Sequence, residues 1–173
     1  MKITKLGGIW KCADVRTTKR LGYGTYRFVL NAQPAKWDPN MVFGAFNYGG
    51  IDYVNEIDIE ISQWGDRDYL TPLNYTVYPK VLGPKYVATF PLKPLTNLTT
   101  HRIIWTPAGV NFLSQNGERI LQDTTGIVAS SHTDISPNVS MPWYFDFWLM
   151  SGIKPVAGAE IVIHDFEFKP QTI

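Results

Sequence analysis

Apolar and polar residues alternate along this chain in short runs, and no helix-length window places apolar positions at i, i+3, i+4 and i+7. Period-two alternation rich in β-branched and aromatic residues predicts strands over residues 9–17, 24–31, 41–48, 55–64, 73–78, 102–106, 110–115, 118–122, 144–150 and 160–168. The last run is the cleanest, with Val162, His164, Phe166 and Phe168 on one face and Ile161, Ile163, Asp165 and Glu167 on the other. Asn116-Gly117, between two such runs, predicts a two-residue hairpin, because both central positions of a type I′ turn need φ above zero. Gly49-Gly50, Gly83-Pro84 and residues 130–142 read as loops. Many short strands without helical punctuation predict an all-β antiparallel sandwich or barrel. With no repeat, linker or low-complexity tract, residues 1–173 read as a single domain.

One run carries candidate chemistry. In Asn55-Glu56-Ile57-Asp58-Ile59-Glu60-Ile61 the strand period turns Glu56, Asp58 and Glu60 to one face and the isoleucines to the other. Carboxylates aligned in this way repel one another, which costs stability and raises the pKa of at least one of them. At roughly 3.3 Å per residue the Cα atoms of Glu56 and Glu60 stand about 13 Å apart, and side chains leaning inward by ~4 Å each bring the carboxyls to about 5 Å. That separation suits a retaining glycosidase, in which one carboxylate attacks the anomeric carbon while the other protonates the leaving oxygen and later activates water. Asp58 between them would tune both. A solvated acidic face and a calcium-binding patch are the alternative readings of the same alternation.

Composition narrows the setting. Lys and Arg number 16 against 15 Asp and Glu, a formal net charge of +1, so neither nucleic acid nor an anionic membrane surface is the expected partner. No apolar run approaches the ~20 residues of a membrane-spanning helix. Aromatic residues make up 14% of the chain, which favours β architecture. Cys12 is the single cysteine, excluding an intramolecular disulfide and a Cys-rich metal site. His101, His132 and His164 lie on separate segments without ligand spacing. The first residues lack the apolar stretch of a secretory signal, which fits a cytosolic protein or equally a piece of a longer secreted one.

The acidic run resembles the E-x-D-x-E signature of glycoside hydrolase family 16, the lichenase and laminarinase group, whose domain is a concanavalin A-like jelly-roll β-sandwich of two antiparallel sheets. Other segments are similar in the same order. Cys12-Ala13-Asp14-Val15-Arg16-Thr17 resembles the family's Glu-x-Arg strand, and Leu21-Gly22-Tyr23-Gly24-Thr25-Tyr26 its F-G-Y-G-x-Y-E segment. His101-Arg102-Ile103-Ile104-Trp105-Thr106-Pro107 resembles F-H-x-Y-x-x-x-W-x-P, and Phe147-Trp148-Leu149 the N-L-W strand. His164-Asp165-Phe166-Glu167-Phe168 resembles the closing D-Y-V-x-V strand, so the likeness spans residues 8–169.

The resemblance implies Glu56 as nucleophile, Asp58 as assisting carboxylate and Glu60 as general acid/base. It implies sugar contacts at Asp14, Arg16, Asn74 and Trp148, while Ser62-Gln63-Trp64-Gly65-Asp66, in place of the family's F-L-G, brings Trp64 to the cleft as a further contact. Asp165 matches a family calcium ligand, so a structural Ca²⁺ is compatible with the chain, and no cofactor is required for the chemistry. The implied partner is a polysaccharide or oligosaccharide, the implied state a monomer, and the implied location extracellular or periplasmic, with any signal peptide outside this chain.

Departures refine the expectation. With no extra residue between Asp58 and Glu60, the motif resembles lichenases and xyloglucan-active enzymes rather than the laminarinases, agarases and carrageenases, which carry a β-bulge there. The family has several dozen residues before the strand that matches 9–17, so the sandwich is expected to lack its usual N-terminal strands. Asp146 stands where lichenases often place Asn, and Thr76 where they place Tyr, implying a different glycan. Asn74-Tyr-Thr, Asn97-Leu-Thr and Asn138-Val-Ser are also glycosylation sequons, although Asn74 is better used inside a cleft. The expected function is endo-hydrolysis of a β-linked polysaccharide, a β-1,3/1,4-glucan or related polymer, with retention of configuration. The alternatives are a lectin-like carbohydrate-binding protein with little turnover, and a transglycosylase.

Overall fold

The computed structural model describes residues 1–31, 33–91, 98–150 and 154–172. In chain order the strands are β1 (Lys2–Leu6), β2 (Ile9–Lys11), β3 (Ala13–Arg16), β4 (Gly24–Asn31), β5 (Met41–Ile51), β6 (Val54–Ser62) and β7 (Leu73–Tyr78). After them come β8 (Tyr86–Phe90), β9 (Thr99–Thr106), β10 (Gly109–Asn116), β11 (Ile127–Thr133), β12 (Trp143–Leu149), β13 (Ala159–Glu160) and β14 (Val162–Pro170), and a single 3₁₀ turn, Pro34–Lys36, precedes β5. The order β3-β12-β5-β6-β7-β8 makes a six-stranded sheet, and β11-β10-β9-β4-β14 a five-stranded one. All the pairings are antiparallel. The two sheets form the expected jelly-roll sandwich.

Alternation on each strand builds the core between them. Phe43, Ile57, Ile59, Tyr75, Trp143 and Phe147 of the six-stranded sheet are buried with Tyr26, Phe28, Ile103, Trp105 and Phe112 of the other. Tyr75 stacks on Phe112 at 4.7 Å, and its hydroxyl donates to Ser114 Oγ at 2.6 Å. Ser114 Oγ also meets His101 Nδ1 at 2.6 Å, so a small satisfied polar network crosses the core beneath the acidic strand. Burial pushes the His101 imidazole down to about 3, which keeps it neutral in that network.

The structure departs from the sequence reading in four main places, besides Gly49-Gly50, which was read as a loop and lies inside β5. First, residues 9–17 are two strands rather than one: the chain breaks at Cys12, an exposed free thiol, with β2 pairing to β1 and β3 to β12. β1, unread in the pattern, joins β2 and β13 in a small third sheet, anchored by Ile3 in the core.

Second, residues 118–122 are not a strand. Gly117 takes the expected positive φ of 73°, but the chain then loops out and returns as β11, with the Asn116 N–H donating to Gly126 O at 2.9 Å. The reason is non-local. Loop carbonyls of Arg119 and Ile120 accept from the buried guanidiniums of Arg27 and Arg102, and those of Asp123 and Thr125 accept from Gln115 Nε2. A two-residue hairpin would leave these buried donors without partners.

Third, the clean alternation of the C-terminal run is interrupted. The register of β14 on β4 shifts between Ile163 and Asp165, leaving His164 as the extra residue of a bulge. Ile163 therefore packs against the core with Phe166 and Phe168, while Val162 and His164 are exposed. Fourth, β8 and β11 were not anticipated. β8 is an edge strand whose residues alternate between half-buried and exposed, and β11 occupies part of the segment read as loop.

Candidate active site

β6 lies between β5 and β7 inside the six-stranded sheet, so both its edges are hydrogen-bonded and its side chains are held in register. Ile57, Ile59 and Ile61 are buried, which fixes that register, since a one-residue slip would drive three carboxylates into the core. On the opposite face Glu56 lies between Tyr48 of β5 and Tyr78 of β7, Asp58 between Phe46 and Thr76, and Glu60 between Gly44 and Asn74. The pairing with β7 runs from Glu56 to Ile61 without a shift, so the strand is regular through the motif. Among the described residues, the non-glycine positions with positive φ are Tyr53, just before this strand, Asn55, its second residue, and Trp64, just after it.

The other expected contacts fall largely on the same face. Asp14 pairs with Asp146, which faces Gly44, while Arg16 pairs with Tyr144, which faces Phe46. One row therefore runs Asp14–Asp146–Gly44–Glu60–Asn74 and the next Arg16–Tyr144–Phe46–Asp58–Thr76. At ~4.8 Å per strand, Asp14 and Arg16 stand about 14 Å from the acidic strand. Trp148 faces Val42, which faces Ser62, one row beyond Glu60. Trp64 is half-buried in the turn after β6, its N–H donating to Ser62 Oγ at 2.9 Å. Asn74 is buried opposite Glu60 and its amide donates to Pro72 O at 3.1 Å, so it is not presented as a glycan attachment point. Asn138 is exposed, and Asn97 lies outside the described residues.

Asp165 stands apart, on β14 of the other sheet, where its carboxylate accepts from Arg27 Nη1 at 2.6 Å. That ion pair holds the Asp165 carboxyl below its ordinary range. Among the described residues no group of three or more His, Cys, Asp or Glu side chains gathers in a metal-binding array.

Several residues of the face were not singled out from the sequence. Phe46 stacks on Tyr144 at 5.0 Å with planes 6° apart, and Tyr48 meets Tyr144 edge-on at 6.2 Å. Together they make an aromatic strip beside Asp58, the kind of surface on which the apolar face of a pyranose packs. The signal was present: Gly44, Phe46 and Tyr48 alternate with Phe43, Ala45 and Asn47, which belong to the core side. Lys85, from the loop between β7 and β8, donates from Nζ to Tyr78 Oη at 3.2 Å.

The electrostatics match a row that cannot carry three charges at once. Burial, then the charges of Glu60 and Asp52, push Glu56 up to about 7. Burial likewise pushes Glu60 up to about 7. Asp58, the most deeply buried of the three, is raised well above its ordinary value by burial and then by its two neighbours. Asp146 rises to about 6 through burial and the charge of Asp14 opposite. Near neutrality the row therefore holds both protons and charge, so a protonated carboxyl and a carboxylate can coexist on one strand.

Fold comparison finds the same architecture in solved glycoside hydrolases, among them β-glucanases and a family 16 endo-glucanase. The β-glucanase of Bacillus licheniformis is 16% identical with a TM-score of 0.68, covering 99% of this chain and 78% of that one. A glycoside hydrolase family protein from Mycobacterium thermorestibile is 18% identical with a TM-score of 0.69, covering 98% and 75%. The family 16 endo-glucanase of Bacteroides ovatus, solved in complex with G4G3G-2F-DNP, is 10% identical with a TM-score of 0.63, covering 97% and 79%. At these identities the likeness establishes the fold. No sequence-family model and no curated protein matches the chain.

Proposed function

We propose that this protein is an endo-acting retaining glycosidase that hydrolyses a β-linked polysaccharide, a β-1,3/1,4-glucan or a related polymer. The observation that carries the reading is the register of β6, which holds Glu56, Asp58 and Glu60 together on one solvent-facing side with hydrogen-bonding and aromatic groups on the flanking strands. Glu56 attacks the anomeric carbon while Glu60 gives its proton to the departing glycosidic oxygen, leaving a glycosyl ester on Glu56. Glu60, now a carboxylate, takes a proton from water as that water attacks the same carbon, which releases the sugar and restores Glu56. Asp58 between them shares charge and proton with both. Phe46, Tyr144 and Trp148 offer faces for sugar rings, Asp14, Asp146 and Asn74 accept from hydroxyls, and Arg16 donates. The chemistry needs no cofactor, and a polymer substrate makes an extracellular or periplasmic setting part of the proposal. The glucanase activity of the structural neighbours supports the same class.

The test is reducing-sugar release from a panel of β-1,3, β-1,4, mixed-linkage and xyloglucan polymers, with the wild type and Glu56→Ala side by side. Release that disappears in the variant is the expected result. Glycan binding without release from any polymer would replace hydrolysis by a binding role, and products longer than the substrate would reassign the chain as a transglycosylase.

A further inference from the structure

Among the described residues one cation reaches the acidic row, and none of the roles above uses it. Lys85 Nζ lies 3.2 Å from Tyr78 Oη and 5.2 Å from the centre of that ring, so Tyr78 holds the ammonium by a hydrogen bond at its hydroxyl end. Tyr78 is the cross-strand partner of Glu56, which delivers the charge to the Glu56 end of the row. The other groups facing Glu56 are neutral or negative. Asp58 and Glu60 come from its own strand, and Tyr78 faces it from β7. Tyr48 faces it from β5 and donates its hydroxyl to Asp52 of the adjoining turn at 2.6 Å. Glu60, by contrast, has the neutral Gly44 and Asn74 on either side and is the more deeply buried of the two glutamates.

We infer that Lys85, steered by Tyr78, is a positioning residue that keeps Glu56 in the ionised form a nucleophile needs while Glu60, four residues along the strand, keeps its proton. Burial and the neighbouring carboxylates work against ionisation of Glu56; a backbone hydrogen bond from Tyr53 and the positive charge of Lys85 oppose them, and the charge of Lys85 acts on all three acids of the row. The assignment of Glu56 as nucleophile rests on the glycosidase reading. The electrostatic role of Lys85 can be measured without turnover.

The experiment titrates the side-chain carboxyls of Glu56 and Glu60 by ¹³C NMR and records the pH profile of kcat/KM, for wild type, Lys85→Met and Lys85→Arg. In Lys85→Met the Glu56 titration and the acidic limb of the profile move up by about one pH unit. At a given pH on that limb kcat/KM falls about tenfold. Lys85→Arg restores both, and about 1 M salt reproduces part of the shift in the wild type by screening. An unmoved Glu56 titration and limb in a folded Lys85→Met protein overturns the inference even if polymers are cleaved. A shifted titration in a protein that cleaves none of the polymers supports the role of Lys85 and overturns the glycosidase reading instead.

Discussion

Two outward faces of this sandwich carry clustered like charges, and they treat them oppositely. On the five-stranded sheet Arg27 and Arg102 sit directly across from one another on β4 and β9, a repulsive arrangement. Most of their donors are met, with Arg102 Nε the exception. Arg27 reaches Asp165, Glu167 and the carbonyl of Arg119, while Arg102 reaches Gln115 and the carbonyl of Ile120. The loop that displaced the expected hairpin supplies those carbonyls. On the six-stranded sheet the carboxylates of Asp58 and Glu60 have no hydrogen bond or salt bridge from any described residue, and Glu56 has a single backbone donor from Tyr53. A fold that compensates one cluster this far leaves the other under-compensated, a contrast in keeping with the chemistry proposed for the acidic row.

Removing a member of each cluster separates the two. Glu56→Ala lowers turnover by at least about 1,000-fold. It also leaves the thermal midpoint unchanged or higher, because it deletes a repelling charge. A midpoint that falls by several degrees would mean that the acidic row is structural after all. Arg102→Ala does the reverse. It orphans the buried Gln115 Oε1 and the Ile120 carbonyl and opens a cavity, costing about 2–4 kcal/mol in urea unfolding. Activity per folded molecule stays within about twofold of the wild type, since its loop lies on the opposite sheet. A cost below about 0.5 kcal/mol would show that the loop carbonyls are satisfied without the guanidinium.

The same contrast explains what could be read from the chain. The acidic strand was legible because Ile57, Ile59 and Ile61 and the three acids alternate without a break, and both consequences, buried apolar face and open acidic face, are local. Asn116-Gly117 was legible as a turn, and Gly117 does take positive φ. Its destination was not, because the demand came from Arg27, Arg102 and Gln115, on other strands. The bulge at His164 left no mark in a run that alternates flawlessly on paper. Phe46 alternates with the buried Phe43 and Ala45, but only the register beside β6 and β12 shows that it and Tyr144 share the face of the acidic row. Lys85 is an unremarkable exposed lysine whose meaning depends on Tyr78 lying opposite Glu56.

The acidic row also sets a pH signature. Glu60 titrates near 7 in the folded chain, against ~4.3 when unfolded. The native state therefore binds more protons than the unfolded state between those values, and stability contributed by this group falls as pH rises through that window. Glu60→Gln removes the penalty. It is expected to gain on the order of 1–3 kcal/mol at pH 8 and nothing near pH 4, read from chemical denaturation at the two pH values. Equal effects at both would mean that burial of the amide, not the charge, dominates.

The compensated face has the opposite sign and a smaller size. Arg27 holds Asp165 below its ordinary range, so the stability this carboxylate contributes is present above its unfolded value of ~3.9 and is lost as pH falls through its folded one. The side chain is half exposed, so solvent screens the pair. Asp165→Asn is accordingly expected to cost about 0.5 kcal/mol at pH 7 and nothing near pH 2. If this variant lost several times that amount, and calcium raised the wild-type midpoint but not the variant's, Asp165 would be serving a bound cation as well as Arg27. If the loss were small and calcium changed neither midpoint, the carboxylate would be fully accounted for as a counter-ion, completing the neutralisation that the acidic row lacks.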